Sequence, residues 1–292
     1  MTTLLPRTFA LMLAMTPGIG GRTVTRILTR NGLLRRTGEE FLGLAPEVWR
    51  EEYGLTKKAA DALALGAEEL LQKTIALEKR LDSLGASLVT AADAHYPALV
   101  EQMDPDPPGV LFLYGNTRLL EAQTFAVMSS RASLPADLEL IEKLTEEGVL
   151  NGEVLVVGHD RPEYQRAAVV PLRWGSPRVL CLDRGMFQVL GENLRDEAFR
   201  AARLWRYEFD PSTDLVVSPF RPDASFVGVN NQVRDRLVAC LSKRIDFVQI
   251  APGGNMEKLA RLALRAGRGV RISDRSVGYR ELRQAGAVVI GN

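Results

Sequence analysis

From residue 124 onward, short apolar runs alternate with stretches of helical periodicity, and no other feature restricts the fold as strongly. "TFAVMSS", "EVLVVGH", "RVLCLD", "DLVVSPF", "IDFVQIA", "GVRIS" and "AVVIG" read as strands. Between them, "SLPADLELIEKLTEEG", "RPEYQRAAVVPLRWG", "NLRDEAFRAARLW", "VRDRLVACLSK", "NMEKLARLALRAG" and "VGYRELRQAG" read as helices. Strands that are apolar on both faces cannot leave one face in water, so they imply a parallel sheet covered by helices on each side. The expected class is α/β, a Rossmann-like doubly wound and mostly parallel sheet. Ligands in such sheets sit beyond the carboxyl ends of the strands, where loops feed helix N-termini.

Two earlier strands, "ASLVTAAD" and "GVLFLYGN", are joined through the turn-rich "MDPDPPG". Before them, residues 1–84 carry apolar positions at spacings of three and four, broken at "TPGIGG", "NGLLRRTGEE" and "YGLTKK". The sequence thus predicts a small all-helical domain over 1–84, of helix-hairpin-helix or SAM-like kind, followed by the α/β domain over 86–292. Within the first, "TPGIGGRTVTRIL" fits a hairpin whose Gly18, Gly20 and Gly21 let backbone amides face a phosphate. The alternative is a tight turn that serves packing only.

Net charge is +1, so overall electrostatics does not announce a polyanion partner; its distribution is more informative. Residues 101–160 hold 11 acidic and 3 basic side chains, whereas residues 221–292 hold 13 basic and 6 acidic. Of the 37 basic residues, 30 are Arg, the side chain suited to bidentate phosphate contacts. Cys181 and Cys240 lie in apolar runs and read as buried, unpaired thiols of a cytoplasmic protein. No Cys or His cluster has metal-ligand spacing, and "TFALMLAM" after Arg7 is too short to span a bilayer. No metal, cofactor, membrane contact or catalytic residue is expected.

Three strand ends could carry a site. "VMSSRAS" puts Ser129, Ser130 and Arg131 after a strand, either to bind an anion or to begin a helix capped by Ser133. "IAPGGNMEKL" puts Gly253 and Gly254 where a ligand could approach the backbone, with Asn255 placed to cap the next helix. In "VNNQVRDRLVACLSKR", Arg234 and Arg236 are expected in a first helical turn, facing the strand ends as a phosphate fork. Val233, Leu237 and Leu241 supply that helix's buried stripe, and Asn230 and Lys243 flank the pair. His159 ends "EVLVVGH" with no recognisable nucleophile, which favours a hydrogen-bonding role.

Several of these pieces resemble, in order, the DprA/Smf DNA-processing family. They are "TPGIGG", "HYPALVEQMDPDPPGVLFLYGN", "AVMSSR", "VRDRLVACLS" and "GGNMEKLARLALRAGRGV". The resemblance implies a single-stranded DNA-binding protein without base specificity. It further implies a homodimer, a RecA-type recombinase as partner in DNA uptake and recombination, and no established chemistry. Carried over by position, Ser130 and Arg131 match the family's phosphate-contacting pair. Arg234 and Arg236 match its paired arginines, and Gly253, Gly254 and Asn255 occupy its Ser-Gly-Ser loop.

The departures are specific. Ser129 replaces a glycine, Asp235 replaces an Asn between the arginines, and "GHDRPEYQRAA" replaces a glycine-rich loop. The aromatic that precedes the arginine pair is missing, and the family's common C-terminal winged-helix domain is not among the matched pieces. "PGGN" is similar to part of the phosphate motif of LOG-type phosphoribohydrolases. The alternative readings are therefore a nucleotide-ligand sensor or nucleoside monophosphate hydrolase using the same cleft, or a partner-binding remnant.

Overall fold

A computed structural model describes residues 4–130 and 134–291. The chain divides into two compact units. The first comprises Met1–Tyr96, Asp106–Leu113 and Pro219–Arg221; the second comprises Pro97–Pro105, Tyr114–Ser218 and Pro222–Asn292.

In the first unit, five helices precede a strand: α1 (Pro6–Met15), α2 (Gly21–Leu34), α3 (Gly38–Leu42), α4 (Pro46–Tyr53) and α5 (Lys57–Ser83), then β1 (Ala86–Thr90). The apolar α1 is the core element, burying six consecutive residues from Thr8 to Leu13. Phe41 is the aromatic hub: its ring meets Phe9 edge-on at 5.4 Å and Tyr53 at 4.9 Å. The two polar aromatic tips are satisfied. Trp49 Nε1 donates to the Phe41 carbonyl at 2.8 Å, and the Tyr53 hydroxyl donates to Asn31 Oδ1 at 2.7 Å. Thr37 and Glu40 form a reciprocal capping box at the start of α3.

The second unit begins with α6 (Ala98–Met103), and β2 (Val110–Gly115) runs from the first unit's Asp106–Leu113 segment into it. Then come β3 (Thr124–Met128), α7 (Pro135–Leu150), β4 (Val154–Gly158), α8 (Pro162–Ala168), α9 (Val170–Arg173), β5 (Arg178–Cys181), α10 (Met186–Leu190) and β6 (Leu215–Ser218). The last elements are α11 (Asn230–Cys240), β7 (Arg244–Phe247), α12 (Asn255–Arg265), β8 (Gly269–Ser273), α13 (Tyr279–Gln284) and β9 (Val288–Ile290). Strands β3 to β9 lie in the order β6-β5-β4-β3-β7-β8-β9, every pair parallel. All residues of β3, β4, β5 and β6 are buried, as expected of strands covered on both faces. The expected doubly wound sheet is present, and its order reverses between β3 and β7. That reversal is the topological switch point at which such sheets open a crevice.

One expected helix is absent. "NLRDEAFRAARLW" forms a single 3₁₀ turn at Arg200–Leu204 and an isolated antiparallel bridge between Asp196 and Glu208. The cause is tertiary. Glu197 is drawn inward to the wholly buried Arg178, accepting from its Nη2 at 2.9 Å. Arg178 also donates to Asp214 from Nε and Nη2 at 2.9 and 2.7 Å, and to the Ala168 carbonyl at 3.0 Å. Satisfying a buried guanidinium outweighs the modest gain of one more helical turn.

Candidate functional site

The two strand ends that flank the switch point are stitched together. After β3, the Ser130 amide donates to the Gln249 carbonyl at 2.8 Å. After β7, the Ala251 amide donates to Ser130 Oγ at 2.9 Å. Ser129 is buried beside them, while the Ala251–Gly253 turn is exposed. Gly253 adopts φ +72° and has open space where a Cβ would stand, so conformation and not crowding requires a glycine there. Gly254 is the N-cap of α12 and makes no side-chain cap. Asn255, expected to cap, is instead the first helical residue, and its amide points at Asp235 Oδ2 at 3.5 Å.

The exposed turn already engages a carboxylate. Glu257 Oε2 accepts from the Gly253 amide at 2.7 Å, and its other oxygen accepts from Arg261 Nε at 2.8 Å. The Gly253 hydrogen bond, followed by that of Arg261, lowers the Glu257 carboxyl below its ordinary range. An amide that holds an anionic oxygen from its own chain has the geometry to hold one from a ligand.

The expected arginine fork does not form. Helix α11 begins at Asn230, so Arg234 and Arg236 belong to its second turn. Residues two apart on an α-helix lie about 200° apart around its axis and cannot face one target. Arg234 is wholly buried: it donates to Asp235 Oδ1 from Nε and Nη2 at 3.1 and 2.9 Å, to Asp183 Oδ2 at 3.3 Å and to the His159 carbonyl. Its guanidinium also lies 5.0 Å from the centroid of the Tyr164 ring. Arg236 turns the other way and pairs with the buried Asp104 at 2.9 Å, its own side chain one-third exposed.

Asp235 is not a free negative charge confronting a ligand. It is buried, accepts from Tyr164 and Arg234, and lies 4.0 Å from Arg161. Asn230 is also structural, its Nδ2 donating to the Asp183 carbonyl at 2.8 Å and tying the start of α11 to the end of β5. Lys243 precedes β7 and donates to the Glu121 carbonyl at 3.3 Å, beside the first residue of β3. It therefore stands at the amino ends of the strands, opposite Ser130. Arg131, and the cap expected of Ser133, lie outside the described residues.

In the first unit, the turn before α2 is built largely for packing. Gly18 adopts φ +85°, and a Cβ on Gly21 would come 2.5 Å from the Gly109 nitrogen. Gly20, the N-cap of α2, has open space around it.

Residues that sequence reasoning passed over surround the strand ends. Asp183 after β5 is buried between His159 Nδ1 at 3.2 Å and Arg184 Nε at 2.8 Å. Burial would raise its carboxyl, but the hydrogen bonds from His159 and Arg184 outweigh burial and hold it at about 2. Phe226, 42% exposed, carries the Arg184 guanidinium 4.8 Å from its ring centroid. Its only sequence signal is an aromatic four residues before α11; Arg184 has none, because Asp160 and Phe226, between which it lies, are distant in the chain. His159, Asp160 and Asp183 could each offer a metal one ligand atom, all within 4.8 Å. Arg184, however, also donates to Asp160 at 2.8 Å, so a guanidinium supplies the positive charge there.

Residues 87–290 match the family described as DNA recombination-mediator protein A. The chain belongs to that family. The DNA processing protein A (DprA) of Streptococcus pneumoniae shares its fold with a TM-score of 0.71 at 19% identity, over 98% of this chain and 95% of that one. A second DNA processing protein A, from Helicobacter pylori, gives a TM-score of 0.52 at 20% identity, over 70% of this chain and 90% of that one. The H. pylori structure is described by its single-stranded DNA binding mode. No curated protein matches the sequence. Among the described residues, no helix is long and apolar enough to cross a membrane. In this family member Ser130 and Ala251 meet at the switch point, while Arg234, Asp235 and Tyr164 form a buried node beside it.

Proposed function

We propose that this protein binds single-stranded DNA across the carboxyl ends of its parallel strands. The observation that carries the reading is the Ser130–Ala251 stitch at the switch point, with the Gly253 turn open to solvent beside it. Phosphate oxygens are held by the Asn255 amide, by the Gly253 amide in place of Glu257, and by Ser130, where the α12 N-terminus favours negative charge. The ends of β5, β4, β3 and β7 follow one another across the sheet at spacings of about 4.8 Å. That order supports a strand path from Phe226 and Arg184, past His159, to the glycine turn, with a base stacking on Phe226.

Backbone and stacking contacts carry no base code, so the binding is sequence-tolerant. Homodimer formation and delivery of the bound strand to a RecA-type recombinase are the further steps that family membership supports. We assign no chemistry to the site.

The test is an anisotropy titration of labelled oligonucleotides of unrelated sequence at several salt concentrations. The expected log–log slope against salt is about −0.7 per phosphate contacted. Phe226→Ala and Gly253→Ala are expected to weaken all oligonucleotides alike. Salt-independent binding, or no binding, overturns the reading.

A further inference from the structure

A cavity in the second unit, of about 510 Å³, opens beside the end of β4 and is lined by neither Ser130 nor the Ala251–Gly253 turn. Its walls come from His159, from Gln165 on α8, from Gln188 on α10 and from the irregular segment holding Phe199, Arg200 and Arg203. The volume falls in the range of small-molecule sites. The segment that closes it is the one that Glu197 pulls out of helical form by pairing with the buried Arg178. The buried pair therefore builds the wall of the cavity.

The polar groups that converge there are largely unspent. Gln165 and Gln188 make no side-chain hydrogen bond among the described residues, and Arg200 makes neither a side-chain hydrogen bond nor an ion pair. Arg203 makes one long bond, 3.4 Å from Nη2 to the Glu197 carbonyl. His159 gives Nδ1 to Asp183, which is ionised above about pH 2 and therefore accepts. That bond assigns the ring proton of neutral His159 to Nδ1 and leaves Nε2 as an acceptor. The nearby acidic group is Asp160, and its carboxylate is engaged by Arg184 at 2.8 Å. Phe199 backs the cavity, its ring 5.9 Å from that of His159.

Two arginines fit a phosphate, and a side-chain amide fits an adenine edge, because it presents a donor and an acceptor side by side. We propose that this cavity binds a nucleoside monophosphate of the adenine type. Arg200 and Arg203 hold the phosphate, Gln188 reads the base edge, and His159 Nε2 accepts from a ribose hydroxyl. The inference is distinct from the single-stranded DNA reading in its anion-holding groups, since neither Ser130 nor the glycine turn lines the cavity, although His159 borders both.

The test is isothermal titration of the full chain with AMP, and in parallel with adenosine and with inorganic phosphate. Saturable AMP binding is expected, tighter than either half alone. Arg200→Ala and Arg203→Ala are each expected to weaken it roughly tenfold, and Gln188→Ala to weaken AMP but not phosphate. Arg200, Arg203 and Gln188 are exposed, so thermal melting should be unchanged in these variants. Oligonucleotide affinity should also be unchanged in them. Three results would overturn the proposal: no saturable AMP binding, phosphate binding as tightly as AMP, or AMP affinity indifferent to both arginine changes. If the arginine variants lose oligonucleotide and AMP together, the cavity is part of the DNA path, which overturns a separate nucleotide site while leaving the DNA reading intact.

Discussion

The Tyr164 hydroxyl donates to Asp235 Oδ1 at 2.8 Å, joining α8 to α11 across 71 positions of sequence. Burial first, and the Asp235 charge second, hold the Tyr164 hydroxyl well above its ordinary pKa, so it remains a donor. The same carboxylate oxygen accepts from Arg234. What reads in sequence as an acidic intruder between two basic residues is the counter-charge that allows Arg234 to be buried.

Arg234 and Arg236 should therefore separate cleanly on mutation. Arg234→Ala leaves Asp235 and Asp183 without their shared cation, and is expected to cost about 3–5 kcal/mol. Arg236→Ala, at a partly solvated pair, should cost about 1–2 kcal/mol. Urea unfolding of the two variants checks the order, and equal losses would contradict the burial described for Arg234.

Glu257 competes for the amide that a phosphate would use. Glu257→Gln removes the charge while keeping a hydrogen-bonding oxygen, and is expected to tighten oligonucleotide binding severalfold. Oligonucleotide titrations of the wild type and the variant measure the difference. Unchanged affinity would place the strand away from the Gly253 turn.

Acid should weaken the fold through Asp183. Its carboxyl is held at about 2, below the ordinary value of 3.8, so its contribution is complete above pH 4 or so. That contribution, worth about 2 kcal/mol, is lost as pH falls toward about 2. Asp246 works in the opposite sense, since burial raises its carboxyl despite the Arg271 hydrogen bond. Urea midpoints measured from about pH 5 downward should fall steeply in the wild type and less so in Asp183→Asn.

Both thiols should be silent in the native protein. Cys181 and Cys240 are free and wholly buried, and burial pushes Cys240 up to about 12 and Cys181 higher still. A thiolate-selective disulfide reagent is expected to react with two thiols in denaturant and with none under native conditions. Rapid native labelling would reveal local opening at β5 or at the end of α11.

The basic C-terminal segment illustrates where sequence reading stops. Part of its surplus charge is spent within the second unit. Arg244 pairs with Glu153, Arg271 with Glu147 at 2.7 Å and Arg236 with Asp104 at 2.9 Å, and each acidic partner belongs to the acid-rich 101–160 stretch. Arg244 and Arg271 also enclose the buried Asp246 at 2.7 and 2.6 Å. A segment's net charge says nothing about its partners, because ion pairs form between elements that are distant in sequence.

Apolar runs such as "TFAVM" and "VLVVG" were enough to determine a two-faced parallel sheet, since a strand buried on both sides has no polar face to spend. The strand-end positions of Ser130 and of Gly253–Asn255 followed from the same alternation. The tertiary structure alone decided that α11 starts at Asn230, which turns Arg234 inward and Arg236 away. It also decided that Lys243 stands at the opposite end of the sheet, and that Glu197 leaves a helical pattern to reach Arg178. Local patterning specifies which faces are buried. Which charges meet beneath those faces depends on the packing of elements more than a hundred residues apart, and a buried cation takes whatever counter-charge that packing brings to it.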